Sequence, residues 1–366
     1  MEQIASARAD RLVSLDAFRG ATIALMVLVN TAGDGGTTYW PLKHADWHGW
    51  TPTDVVFPSF LWIAGAAMTL AFDRRLAAGA ARGALLAQTI RRAVILYAIG
   101  LALCGFPAYN LSTLRWMGVL QRIAICTLAG AAIWLKTGTR GRVAWIVGLL
   151  ATYWALMMFV PVPGYGAGRL DVEGNLAHYV DQTLLGAHNY AETKTWDPEG
   201  IVSTLPAIAT LLMGTFAGQW MGAGRPSTGR LLWLAAAGAV LLAVGLAWHP
   251  WLPINKKIWT SSFAIFMAGL DCVLLAAMSW LVDVRGRAAI VRPLVILGMN
   301  SIAVYVASEL VDMVLSTTNW REAIYRAVFV PLASPYNASL LYAVAYTLAI
   351  FGIAWGLYRR RWFIRV

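Results

Sequence analysis

The sequence predicts an all-α fold, a polytopic helical bundle embedded in a membrane with about ten transmembrane helices. Three observations predict it. Charged residues make up only 13% of 366 positions and apolar residues 59%, too few charges to cover a soluble domain of this length. The apolar residues come in long blocks, such as VVFPSFLWIAGAAMTLAF (55–72) and LLWLAAAGAVLLAVGLAW (231–248), close to the roughly 20 residues that cross a hydrocarbon core. The basic residues gather in alternate connections between these blocks, as the positive-inside rule requires.

In chain order the predicted spans lie near 20–38, 54–72, 93–108, 116–135, 143–162, 201–221, 231–250, 259–281, 293–315 and 337–357. The first follows MEQIASARADRLVSLDAFRG, which has no apolar core, so no cleavable signal peptide is indicated and the span itself directs insertion. The second and third are joined by the Arg-rich connection DRRLAAGAARGALLAQTIRR, read as an inner loop. The fourth and fifth are joined by an inner turn holding Lys136, Arg140 and Arg142. The longest outer connection, 163–200, carries His178, Asp181, His188, Glu192, Asp197 and Glu199 among Gly and Pro turns, and reads as a solvated periplasmic loop. Arg225 and Arg230 follow the sixth span, Arg285 to Arg292 the eighth, and YRRRWFIRV the last.

With both termini in the cytoplasm, most of the 29 Lys and Arg residues fall on the inner side. The net charge of +11 therefore sets topology, and no nucleic acid is expected as a partner. The lipid bilayer is the expected partner, and a homodimer is left open. No linker or low-complexity segment divides the chain, which reads as one domain over 1–366. Cys104, Cys126 and Cys272 lie in apolar blocks without metal-like spacing and behave as small hydrophobes.

Polar residues at membrane depth are expensive and by default point to function. Counted from Gly20, a helix climbs only about 15 Å by Asn30, which places Asn30 and the following TAGDGG inside the membrane as a re-entrant lining. Arg122 lies about 20 Å from the inner end of its span. Asp271 is central in the eighth span, Glu309 and Asp312 lie in the outer part of the ninth, and Asn300 and Ser301 in its inner part. The structural alternative pairs Arg122 with Asp271 or Glu309.

The segment KHADWHGW offers His44 and His48 with Asp46 between them. Three uses compete. A helical i, i+4 pair can share a metal, but the glutamate of the zinc-peptidase motif is missing and Trp and Gly disfavour a helix. A His–carboxylate pair can relay protons in a transporter. A His of near-neutral pKa can remove a proton from an amine or hydroxyl in group transfer. No G-x-S-x-G turn, P-loop or dinucleotide fingerprint is present, and no metal is expected.

RLVSLDAFRGATIALMVLVN followed by YWPLKHADWHGWTPTDVVFPSFLWIAG resembles the heparan-α-glucosaminide N-acetyltransferase family, among the transmembrane acyltransferases. The resemblance continues through MGVLQRIAI, WDPEGIVSTLPAIATLLMG, PINKKIWTSSF, LGMNSIAVYV and the basic C-terminal block. It implies acetyl transfer from cytosolic acetyl-CoA to a glucosamine-type amine across the membrane, with Asn30 and His44 at the motif positions of the catalytic residues. The large N-terminal luminal region of lysosomal members has no counterpart, which suggests a bacterial-type chain in the inner membrane and another amino sugar as acceptor. The Gly-rich segment after Asn30 looks longer than in the family.

On this reading His44 is the base or a transient acetyl carrier, with Asn30 and Asp54 polarising the thioester carbonyl or fixing the imidazole. Arg19, Gln121, Arg122, Arg292, Asn300 and Ser301 are the candidates for holding CoA, where Arg forks suit its phosphates. Lys256, Lys257, Asp197 and Glu199 are the candidates for the acceptor. The rival reading is a proton-coupled permease for amino sugars with His44 and Asp54 as the relay, although no inverted repeat is visible.

Overall fold

Residues 12–364 are described in the computed structural model of the chain; Arg8, Arg11 and Arg365, expected on the inner side, lie outside them. The described residues are predominantly helical and hold no strand. The helices are α1 (Val13–Asn30), α2 (Val56–Ala77), α3 (Arg82–Gly105), α4 (Val119–Lys136), α5 (Thr139–Phe159), α6 (Leu176–Leu184) and α7 (Thr204–Gly222). They continue with α8 (Thr228–Trp248), α9 (Ser261–Ser279), α10 (Arg292–Met299), α11 (Ser301–Thr317), α12 (Trp320–Ile324) and α13 (Pro335–Arg359).

Among the described residues, eight helices are long and apolar enough to cross a membrane, or nine if α10 and α11, bent by 82°, form one span. The protein is thus a multi-pass membrane protein. The predicted 201–221 span forms α7, but Thr204, Pro206, Thr210, Thr215 and Gln219 dilute its apolar character and it is not among the eight. The bend falls at Asn300, whose side-chain amide binds the Trp362 carbonyl at 3.0 Å and the Ile364 N–H at 2.9 Å.

Three sequence expectations change. Helix α1 begins at Val13 rather than near Gly20, so its 18 residues rise about 27 Å and carry Asn30 to the far end of the hydrocarbon layer instead of its middle. Asn30 is exposed there. The Arg-rich 73–92 connection is mostly helix, because after a turn at Gly79, with φ +87°, nothing from Arg82 onward breaks α3. The 163–200 connection is folded rather than simply solvated, with α6 inside it and Asn175, His178, Asp181, Asn189, Asp197 and Glu199 buried.

The described residues form two compact units, 12–39, 224–238 and 271–364, and 40–223 and 239–270. Each is organised on one close helix pair. In the first, α1 lies along α10, and a Cβ on Gly20 would stand 1.7 Å from the Leu294 carbonyl oxygen. In the second, α2 lies along α7, and a Cβ on Gly65 or Gly214 would stand 1.9 Å and 2.0 Å from the Leu211 and Trp62 carbonyl oxygens. Apolar solvent does not drive helices together, so backbone approach at small residues supplies the packing.

Candidate active site

The second unit assembles its polar site from three loops. The first begins at Thr51-Pro-Thr-Asp54, whose spacing makes a capping box. Asp54 Oδ2 accepts from the Thr51 N–H at 2.9 Å, the Thr51 hydroxyl at 3.1 Å and the Ala45 N–H at 3.0 Å. Asp54 Oδ1 stands 2.7 Å from His44 Nδ1. The carboxylate is 1% exposed and the imidazole 45%. An ionised carboxylate only accepts, so Nδ1 carries the hydrogen and the Nε2 lone pair is left for another partner. The single Thr51 hydroxyl hydrogen is shared with the closer Lys43 carbonyl at 2.5 Å, which fixes the backbone just before His44.

The second loop, 249–260, closes onto the first. The Gly49 N–H donates to the Ile254 carbonyl at 2.7 Å, and Gly49 takes φ +96° to allow it. Asn255 is fully buried; its side-chain oxygen accepts from Ile258 N–H at 3.1 Å, and its Nδ2 meets His48 Nδ1 at 3.3 Å. Lys257 Nζ donates to the Asp46 carbonyl at 2.6 Å. Trp259 sits at φ +49°, a costly conformation for a bulky residue, held by burial between Phe57 and Phe263. This turn sets Lys256 Nζ 3.2 Å from His44 Nδ1, 3.4 Å from Nε2 and 3.9 Å from Asp54 Oδ1. Burial lowers the Lys256 pKa below the usual lysine value, with Lys257 and Arg122 acting the same way and the Asp54 and Glu199 carboxylates opposing. For His48, burial and then His249 lower the pKa.

The third loop supplies the acids. Arg115 grips Asp197 with Nε at 2.7 Å and Nη2 at 2.6 Å, and reaches Glu199 at 2.5 Å. Burial pushes Asp197 up against the pull of Arg115, whereas the Arg115, Arg122 and Lys256 charges together hold Glu199 below the usual carboxylate range despite its burial. Burial pushes Asp181 up to about 6, although the Ile201 and Asp197 N–H groups donate to it. Arg122 is completely buried, donates to the Gly200 carbonyl at 3.1 Å and to the Ser203 hydroxyl, and lies over the Trp259 ring. The sequence suggested Asp271 or Glu309 as its partner; the guanidinium instead binds this loop. Gln121, next to it, is buried with its amide 3.7 Å from Cys104 Sγ. His178 and His188 bond the Val172 and Leu114 carbonyls, a structural use of both rings.

This arrangement holds a carboxylate-oriented imidazole with a free nitrogen beside an ammonium, the parts needed for proton removal coupled to group transfer. Among the described residues, no group of three His, Cys, Asp or Glu side chains could hold a metal ion. The chain matches the family described as heparan-alpha-glucosaminide N-acetyltransferase, catalytic, over residues 11–247. It belongs to that family. It is 30% identical to heparan-alpha-glucosaminide N-acetyltransferase of Mus musculus over 359 residues, covering 83% of this chain and 54% of the relative. The Homo sapiens protein of the same name matches at 30% over 362 residues, covering 84% and 54%. The chain thus spans about half the length of these curated relatives.

In the heparan-alpha-glucosaminide N-acetyltransferase match, His44, Asp54, Asp197 and Glu199 fall inside the matched residues and Lys256 falls beyond them. Five further candidates, Arg19, Asn30, Arg292, Asn300 and Ser301, lie in the first unit. Asn30 ends α1, and its side chain hydrogen-bonds Glu309. Nearby on α11, Asp312 pairs with Arg321 at 3.2 Å, and Arg321 donates to the Ala32 carbonyl at 2.6 Å. Arg19 pairs with Asp16 at 3.4 Å, Arg292 is exposed, and Ser301 starts α11 beside the engaged Asn300. Sequence reasoning missed Arg115, Arg321, Thr51 and Asn255. The Thr-x-x-Asp spacing could have revealed Thr51, and Asp312 stands nine residues before Arg321; Arg115 and Asn255 reach Asp197 and His48 across 82 and 207 positions, where no local signal exists.

Proposed function

We propose that this chain is a membrane-embedded N-acetyltransferase that moves an acetyl group from acetyl-CoA to the amine of a glucosamine-type sugar. The observation that carries this reading is the half-exposed His44 imidazole, bonded through Nδ1 to buried Asp54, with Nε2 available. Family membership supports the acetyl-transfer chemistry, since the curated relatives are named for it.

In the step itself, His44 Nε2 takes a proton from the acceptor amine as its nitrogen attacks the thioester carbonyl. The new C–N bond forms, the C–S bond breaks, and the imidazolium returns its proton to the departing thiolate. Transient acetylation of His44 is the two-step variant of the same chemistry. Asp54 holds the tautomer that keeps Nε2 basic. Asn30 is assigned a part by the family motif. Arg19, Gln121, Arg122, Arg292 and Ser301 are proposed for the donor; Asn300 joins them only if the Trp362–Ile364 backbone leaves its amide. Asp197, Glu199 and Lys257 are proposed for the acceptor.

The topology that fits this function has about ten spans and cytoplasmic ends, set by the basic inner connections. The donor then enters from the cytoplasm of a bacterial inner membrane and the acceptor from the periplasm. The test gives purified protein radiolabelled acetyl-CoA and glucosamine and follows N-acetylated product. Absence of transfer to any amino sugar, together with solute uptake in proteoliposomes, would replace the enzyme with the permease.

A further inference from the structure

Lys256 forms a long ion pair with Asp54, but its placement is not that of a hydrogen bond to His44. Its Nζ is almost equally far from the two ring nitrogens, 3.2 and 3.4 Å. In the ring plane those separations would drive it into Cε1, so it lies over the face of the imidazole. There neither nitrogen can accept from it: Nδ1 carries the hydrogen shared with Asp54, and the Nε2 lone pair points along the ring plane. The nearest carboxylate oxygen, Asp54 Oδ1, is 3.9 Å away, beyond hydrogen-bond range. An ammonium has three N–H donors, and this one is on a side chain only 18% exposed. Among the described residues no in-range oxygen is aimed at it, so its donors face toward whatever occupies the space beside Nε2.

We propose that the Lys256 ammonium is the oxyanion donor of the transfer, receiving the thioester carbonyl oxygen as it becomes negative. The inference rests on the acetyl-transfer reading. The acceptor nitrogen must stand within hydrogen-bond reach of Nε2, and the acetyl carbon within attack distance of that nitrogen. A charge only 3.4 Å from Nε2 is within reach of the oxygen on that carbon. The amine lone pair forms the C–N bond while the carbonyl π pair moves onto oxygen, beside the ammonium. It returns as the C–S bond breaks, with the amine proton on His44 Nε2 and then on sulfur. The developing oxyanion also relieves the repulsion between Lys256 and the imidazolium. The charged groups that face Lys256 are Asp54 at the entry to α2 and Glu199, which attract it, and Arg122 of α4 and Lys257 on its own loop, which repel it, with the His44 ring beside them.

The test compares wild type, Lys256→Met and Lys256→Arg for acetyl transfer to glucosamine, with thermal melting and the Kd for acetonyl-CoA, a ketone analogue without a cleavable thioester. Lys256→Met is expected to lose about 10²- to 10³-fold in kcat, with melting and analogue affinity nearly unchanged. Lys256→Arg is expected to retain much more activity. In wild type, kcat falls at high pH as the Lys256 ammonium is lost, below the usual lysine range, and this limb disappears in Lys256→Arg, whose guanidinium stays charged. An active wild type whose Lys256→Met retains kcat, or whose Lys256→Arg keeps the same alkaline limb, overturns the oxyanion role alone. If Lys256→Met does not fold, the limb in Lys256→Arg decides. A wild type without acetyl transfer overturns the enzyme reading and this role with it.

Discussion

Asp54→Asn tests whether the buried carboxylate does more than fill space. The substitution keeps the shape of the side chain but replaces one oxygen with an NH₂ group. Two backbone N–H groups, from Ala45 and Thr51, point at Oδ2, whereas a single ring nitrogen faces Oδ1. The amide therefore turns its oxygen to the backbone and its NH₂ to His44. Nδ1 must then accept, the hydrogen moves to Nε2, and the nitrogen that should take the substrate proton has no lone pair. Restoring the active tautomer requires flipping the amide, which strands both backbone donors at about 1–3 kcal/mol each. The Thr51 hydroxyl can rotate and costs little. The active form is thus disfavoured by about 2–6 kcal/mol, or about 30-fold to about 10⁴-fold in kcat. Acetyl transfer at saturating acetyl-CoA, with a melting curve of the same sample, measures it. A folded Asp54→Asn protein with kcat within a few-fold of wild type would show that the tautomer argument is mistaken.

His44→Ala should abolish turnover while leaving acetyl-CoA binding largely intact, and His48→Ala, whose ring meets Asn255 rather than a carboxylate, should cost much less; equal losses measured by initial rates would point to a metal or to folding. Gly65→Ala places a methyl 1.9 Å from the Leu211 carbonyl oxygen, so α2 and α7 must separate. A destabilisation of about 1–3 kcal/mol or more is expected, and an unchanged melting temperature would contradict the packing described for that pair. Asp181 has a folded pKa of about 6, raised from 3.8, so the folded state binds more protons than the unfolded one between those values. Its contribution to stability falls as pH rises through that window. Melting of wild type against Asp181→Asn from pH 4 to 7 should show wild type losing ground toward neutrality; a constant difference would refute the shift.

Span existence and the membrane class were legible in the sequence because crossing hydrocarbon demands a long local apolar run. The Thr51–Asp54 turn beside the candidate His44 lies within one capping spacing. Span edges were less legible. Asp16 and Arg19 interrupt the apolar run at the start of α1, so the helix was started too late and Asn30 was placed in the middle of the layer instead of at its far end. The α10–α11 bend is similarly hidden, because Asn300 acts there through backbone groups more than 60 residues later.

The sequence by itself determined that this is a helical membrane protein of the heparan-alpha-glucosaminide N-acetyltransferase family, and it singled out His44 as a candidate. Only the tertiary structure decided what surrounds that histidine. Lys256 reaches His44 across 212 positions of sequence, and Arg115 claims Asp197 and Glu199 across 82 and 84. Apolar length is a property of each segment alone. Tautomer, charge balance and unsatisfied donors belong to contacts between segments, and these exist only once the loops have closed.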